Sequence, residues 1–200
     1  MRPSHDELKI LWLNAYARAA LMEADQWLDA MKHSTDQKSV ESHALTCAVV
    51  VAYARPFTKA QISHSNRVIP LKDVQPPSHL RTTHDMVLKL RNTVMGHKEA
   101  TLVDADSTKV NTILIRKDAS GFDLHTKTAE RIQPEIQKEI KSLCAYFMRH
   151  CIEKITPIIN RCRNEINCLP VGEYELLITE PPDEWLRDNK PGRPAMLAGF

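Results

Sequence analysis

The chain has 200 residues, 42 % apolar and 26 % charged, a globular composition that excludes a disordered chain and suits one domain with a real core. Only five glycines leave little room for phosphate-cradling loops, so helices are favoured over a Rossmann-type or P-loop fold. A net charge of +2 gives no global positive field, and a nucleic-acid binder would have to use a local basic patch. The first residues, Met1-Arg2-Pro3-Ser4-His5-Asp6-Glu7, contain no apolar signal segment. The longest strongly apolar run, Ala44 to Ala54, is about half of the ~20 residues that a membrane span needs. The expectation is therefore a cytoplasmic protein with no membrane partner. The five cysteines, at 47, 144, 151, 162 and 168, contain no Cys-x-x-Cys and read as small buried apolar residues.

In chain order, Ser4-x-x-Glu7 is a capping box. Behind it Ile10, Leu13, Ala17, Ala20, Ala24, Trp27 and Met31 recur at three- and four-residue steps, which predicts a long amphipathic helix. A second helix starts near Asp36 or Ser39 and runs to Arg55, where Pro56 stops it. Its core from Ala44 to Ala54 is apolar all round, as a buried central helix would be. Residues 57 to 78, with Pro70, Pro76 and Pro77, read as a long loop with at most a short helical turn. A third helix begins around Ser78 and ends at Gly96, a residue suited to a left-handed cap.

The period then changes. Val110 to Arg116, a turn at Asp118-Ala119-Ser120-Gly121, and Phe122 to His125 predict a β-hairpin at about 108–126. Pro134 opens a fourth helix with Ile136, Ile140, Leu143, Phe147 and Cys151 as its stripe. Pro157 is expected to kink or end that helix, with a helical continuation to about Cys168. The fold class is thus mainly α: a bundle of four to five helices at 1–170, a β-hairpin inserted after the third, and a tail at 171–200 that is extended or disordered.

At 100° per residue, Val87 and Met95 lie about 40° either side of Arg91, and Leu88 and Val94 about 60° either side. Arg91 therefore sits in the most apolar arc of the third helix, and His84 lies about 20° from it. A guanidinium cannot shed its charge. It needs a carboxylate such as Glu41, a dimer seam or pocket that receives an anion, or a path along apolar surface to water. His97 follows the helix-ending Gly96 and can turn back towards Arg91. Such an Arg and His suit phosphodiester chemistry: the guanidinium grips phosphate oxygens, and an imidazole titrates near neutral pH. For RNA, a base that takes the 2′-hydroxyl proton lets that oxygen attack the adjacent phosphorus. No carboxylate cluster for a metal is visible, and no cofactor is expected.

Leu90-Arg91-Asn92-Thr93-Val94-Met95-Gly96-His97 resembles the Arg-x(4–6)-His motif of the HEPN superfamily, helical domains of prokaryotic toxins, abortive-infection proteins and RNA-processing systems. Asn92 supplies the polar residue that follows the arginine in that pattern. Gly96 stands where the family often has Ala. Ala52-Tyr53-Ala54-Arg55-Pro56-Phe57 also looks like a segment of small HEPN-like proteins. The resemblance implies a metal-independent endoribonuclease, usually a homodimer whose two motifs meet in one cleft, with an antitoxin or regulatory protein as a further partner. It assigns Arg91 to the scissile phosphate, His97 to general acid–base work and Asn92 to orienting them or contacting RNA. Glu99 stands where many toxin members carry a modifiable Tyr, a departure that puts regulation by that route in doubt. The family also contains members without nuclease activity, so a non-catalytic nucleotide- or protein-binding module is the alternative.

Tyr53, Arg55 and His84 are further candidates for the substrate site, through stacking on a base and an added charge. The plainer reading, Arg55 capping helix carbonyls and Tyr53 in the core, is favoured. Arg67 and Lys72 are more simply solvated loop charges. His79 with His84, His150-Cys151 and Cys162 with Cys168 lack the partners of a metal site, and no nucleophile has the setting of a catalytic triad.

Overall fold

The computed structural model describes residues 2–33, 40–63, 66–92, 113–118, 121–126, 132–176 and 186–188. The fold is mainly α, with helices α1 (His5–His33), α2 (Val40–Ala54), α3 (Arg81–Leu90) and α4 (Pro134–Asn167). Short 3-10 turns cover Arg55–Phe57 and Ser78–Leu80. Three antiparallel pairs accompany them: β1 (Ala60–Ser63) with β2 (Asn66–Val68), β3 (Ile113–Asp118) with β4 (Gly121–Thr126), and β5 (Tyr174–Leu176) with β6 (Leu186–Asp188). No helix among the described residues is long and apolar enough to cross a membrane. The chain divides into two compact units, Met1–Tyr16 with His150–Phe200, and Ala17–Arg149.

In the first unit, α1 starts as its sequence dictates. The Ser4 amide donates to Glu7 Oε2 at 2.9 Å, and the Glu7 amide donates to Ser4 Oγ at 3.3 Å. These reciprocal bonds satisfy two amides that would otherwise lack intrahelical partners. Glu7 Oε1 is left to accept from Arg161 of α4, so one carboxylate both caps a helix and pairs across to another. Leu8, Leu11, Ile158 and Cys162 form the core, with Ile155, Ile166, Leu176 and Leu186 packed against it. Leu176 and Leu186 face each other across the β5–β6 ladder, inside the segment expected to be an extended arm.

In the second unit, α1 contributes Ala17, Ala20, Leu21, Ala24, Leu28 and Met31 to the core. Buried α2 residues include Val49, Val50, Tyr53 and Ala54, and α4 adds Ile140, Leu143, Cys144 and Phe147. Burying each large side chain contributes about 2 kcal/mol. Ion pairs sit at the margin of this core. Lys141 Nζ reaches Asp29 Oδ1 at 2.8 Å and Asp25 Oδ1 at 3.1 Å, joining α4 to α1. Lys141, then Lys32, hold the Asp29 carboxyl down at about 2.

Several expectations change in part or in whole. Ala17, Ala20, Ala24 and Met31 of the expected α1 stripe are buried, but Leu8, Leu11, Leu21 and Leu28 complete the buried face, and Ile10 and Trp27 are 40 % and 38 % exposed. That face buries four leucines, a larger apolar area than the stripe through Ile10 and Leu13. Helix α2 is not buried all round, since Ala44 and Val51 are exposed. Pro56 ends the second helix within one residue of the expected place: α2 stops at Ala54, and a 3-10 turn, which tolerates proline at its start, follows. Residues 57 to 78 hold the β1–β2 ladder, which no alternation of apolar residues announces. Pro157 does not end α4, which runs on through it to Asn167, next to the expected Cys168. The third helix begins as expected with the Ser78–Leu80 turn, but its predicted end at Gly96 lies outside the described residues. Cys144, Cys151 and Cys162 are buried, and burial pushes the Cys144 thiol up to about 12.

Ser4→Ala is expected to cost about 1 kcal/mol of stability, the usual worth of a helix N-cap. Glu7→Ala should cost slightly more, because it also removes an ion pair to the exposed Arg161 worth at most about 1 kcal/mol. Urea denaturation of both variants measures the difference.

Candidate functional site

The short helix α3 buries Thr83, His84 and Val87 on one face and leaves Arg81, Asp85 and Lys89 outside. Thr83 Oγ1 donates to Glu139, which fixes the start of α3 to α4. At its other end the Arg91 amide is shared between the carbonyls of Leu88 and Val87, and Arg91 and Asn92 continue the helix as a wider π-type turn. Such turns recur at functional sites. The Arg91 side chain is half-buried, and its Nη1 donates to Asn92 Oδ1 at 3.0 Å. Among the described residues no carboxylate pairs with it, Glu41 included. The amide oxygen orients the guanidinium and leaves its charge uncancelled. His97 lies outside the described residues, so the predicted Arg91–His97 pairing does too.

Two other predicted residues meet. Tyr53, fully buried on α2, and His84, 7 % exposed on α3, share a hydrogen bond of 2.8 Å between the phenol oxygen and Nδ1. Phe57 lies edge-on to His84 at 4.7 Å between ring centroids, and Phe147 of α4 lies at 5.6 Å. Phe57 and Phe147 themselves meet edge-to-face at 4.8 Å. Burial lowers the pKa of His84 from its ordinary 6.5, and the nearby Asp85 only partly offsets this. Burial, followed by Cys144 and Asp85, pushes the Tyr53 phenol far above its ordinary 10. Tyr53 is therefore always protonated, and Nδ1 is the acceptor within its reach. The least costly arrangement has the phenol donating to Nδ1, which puts the imidazole proton on Nε2.

Tyr53 consequently belongs to the core and offers no open face for stacking. Arg55 is spoken for as well: Nη1 and Nη2 reach Glu23 at 2.5 and 3.4 Å. The favoured reading of Tyr53 as core holds. Arg55 pairs with an acid rather than with helix carbonyls, because Glu23 on α1 comes within reach of it, 32 residues away in sequence.

His84 also lines a cleft of about 400 Å³ between α3 and residues 57–76. Lys72, Gln75, Arg81 and Asp85 stand around it, and Phe57 and Leu88 contribute apolar wall. Sequence reasoning singled out His84 and Lys72 but missed Phe57, Gln75, Arg81 and Asp85. Arg81, His84, Asp85 and Leu88, at three- and four-residue steps on one helix, were the available signal. Comparison with family models, curated proteins and solved structures finds no match for this chain.

Tyr53→Phe and His84→Leu should each cost about 1–3 kcal/mol, since each strands a buried polar group. The double variant should cost less than the sum of the two, and chemical denaturation reads the difference. The lowered pKa of His84 also has a sign in pH. The unfolded chain takes up the proton first, so this contribution is complete above 6.5 and is lost as pH falls from there towards the lower folded value. Removing the pair should flatten stability against pH in that window.

Proposed function

We propose that the chain is an HEPN-like, metal-independent endoribonuclease, a bundle of four to five helices carrying a β-hairpin after α3 and acting as a homodimer. The observation that carries this reading is the Arg91–Asn92 pair at the end of α3, a guanidinium held by a neutral amide at 3.0 Å. A carboxylate in that place would neutralise the charge; an amide leaves it for a phosphate. Arg91 binds two oxygens of the scissile phosphate and stabilises the charge that builds there in the transition state. His97 takes the 2′-hydroxyl proton, the 2′-oxygen attacks phosphorus, and the bond to the 5′-oxygen breaks as that oxygen gains a proton. A 2′,3′-cyclic phosphate and a 5′-hydroxyl end result. Asn92 keeps the guanidinium in register. Phage defence or a toxin–antitoxin pair, with an antitoxin or regulatory protein as partner, is the setting that the motif suggests.

Purified protein incubated with total RNA and EDTA should leave cyclic-phosphate ends. Arg91→Ala and His97→Ala should each lower cleavage at least about 100-fold with helical content unchanged. Wild-type protein that cleaves neither transfer nor ribosomal RNA would overturn this reading. RNA binding that depends on Arg91 without cleavage would replace it with a non-catalytic binding module.

A further inference from the structure

The cleft beside His84 has the size and make-up of a small-molecule site, and the Arg91 motif does not account for it. Its volume of about 400 Å³ falls within the range of ligand pockets. Phe57, Ile69, Val74 and Leu88 line it while remaining only half-buried, so apolar surface is left open inside a concavity. Charge is arranged around that surface. Lys72 and Arg81 are exposed at the cleft, and among the described residues Arg81 makes a long 3.5 Å contact with Gln75. Asp85 is the acid that lines the cleft with these two cations. With the Tyr53 phenol donating to Nδ1 across their 2.8 Å contact, a neutral His84 carries its proton on Nε2 and adds a donor. Two cations, one carboxylate and one N–H around an apolar slot complement a ligand with one anionic group and an apolar body.

We propose that this cleft binds a small amphipathic anion, an aromatic or branched apolar body that carries one carboxylate or phosphate. The apolar body lies against Phe57 and Leu88, and the anion is held by Lys72, Arg81 and the Nε2–H of His84. Anchoring to His84 is rigid, since the imidazole is fixed by Tyr53, Phe57 and Phe147 before any ligand arrives.

Titration calorimetry of the whole chain with indole-3-acetate and with phenyl phosphate tests this and separates the carboxylate from the phosphate. At least one should bind with a Kd below about 1 mM, and the neutral indole-3-ethanol, phenol and inorganic phosphate should all bind at least about tenfold more weakly. The double variant Lys72→Glu/Arg81→Glu alters only exposed side chains and should weaken the anion at least about tenfold. Val74→Trp, which fills the slot, should abolish binding. Arg91→Ala should bind as wild type does, so a failure of the nuclease reading and a failure of this one are distinguishable. No binding by either anion, equal binding of the neutral analogues, or unchanged affinity in the charge-reversed variant would each overturn the proposal.

Discussion

The second unit depends on the hydrogen bond between Tyr53 and His84. It joins α2 to α3 at a point where both side chains are out of water, and an unmade bond there would leave a phenol and an imidazole nitrogen stranded at a cost of about 1–3 kcal/mol. A polar pair in such a place is more exacting than an apolar contact, because it is satisfied at one distance and one tautomer only. The rings of Phe57 and Phe147 close around it and exclude water, which lowers the pKa of the imidazole and holds it neutral. With His84 fixed, the rest of α3 follows. Arg91 lies seven residues on, about 10 Å along the helix axis, so one pinned helix carries both the cleft and the Arg91–Asn92 turn.

Two arginines show how differently the same group is used. Arg55 meets the Glu23 carboxylate through two nitrogens, which offsets its charge and makes it a strut between α1 and the turn that follows α2. Arg91 meets only the Asn92 amide oxygen among the described residues, which restrains the group and keeps its charge. Removing Arg55 would be read in stability, whereas removing Arg91 would be read in what the protein binds or cleaves. Glu7 follows the logic of Arg55: each of its oxygens has a structural partner, one at the helix start and one on Arg161.

What was legible in the sequence was local. The Ser4–Glu7 box, Pro134 at the head of α4 and the Ile140–Leu143–Phe147–Cys151 stripe are patterns within one or two turns, and the fold honours them. The stripe of α1 was legible at Ala17, Ala20, Ala24 and Met31 but not at Ile10 and Trp27, because the leucines offer an overlapping stripe and only the partner helices choose between the two. Pro157 does not end α4, and the expected continuation to about Cys168 is found to Asn167: a missing N–H removes one bond, while the apolar face continues through Ile158 and Cys162 and holds the helix together. At the candidate site, Tyr53 and His84 were singled out for substrate binding without any sign that they bind each other. They lie 31 residues apart, a separation on which helical periodicity is silent. Arg55 and Glu23 escaped for the same reason. The cleft was hidden because half its wall comes from residues 57–76, which read as a structureless loop.

The state of the His84 ring is the centre of this account, and nitrogen-15 NMR of the imidazole reads it directly. The account predicts a neutral ring with its proton on Nε2, an unprotonated Nδ1 and a titration midpoint below 6.5, moving back towards 6.5 in Tyr53→Phe. A proton on Nδ1, or a midpoint at or above 6.5 in the wild-type protein, would contradict it.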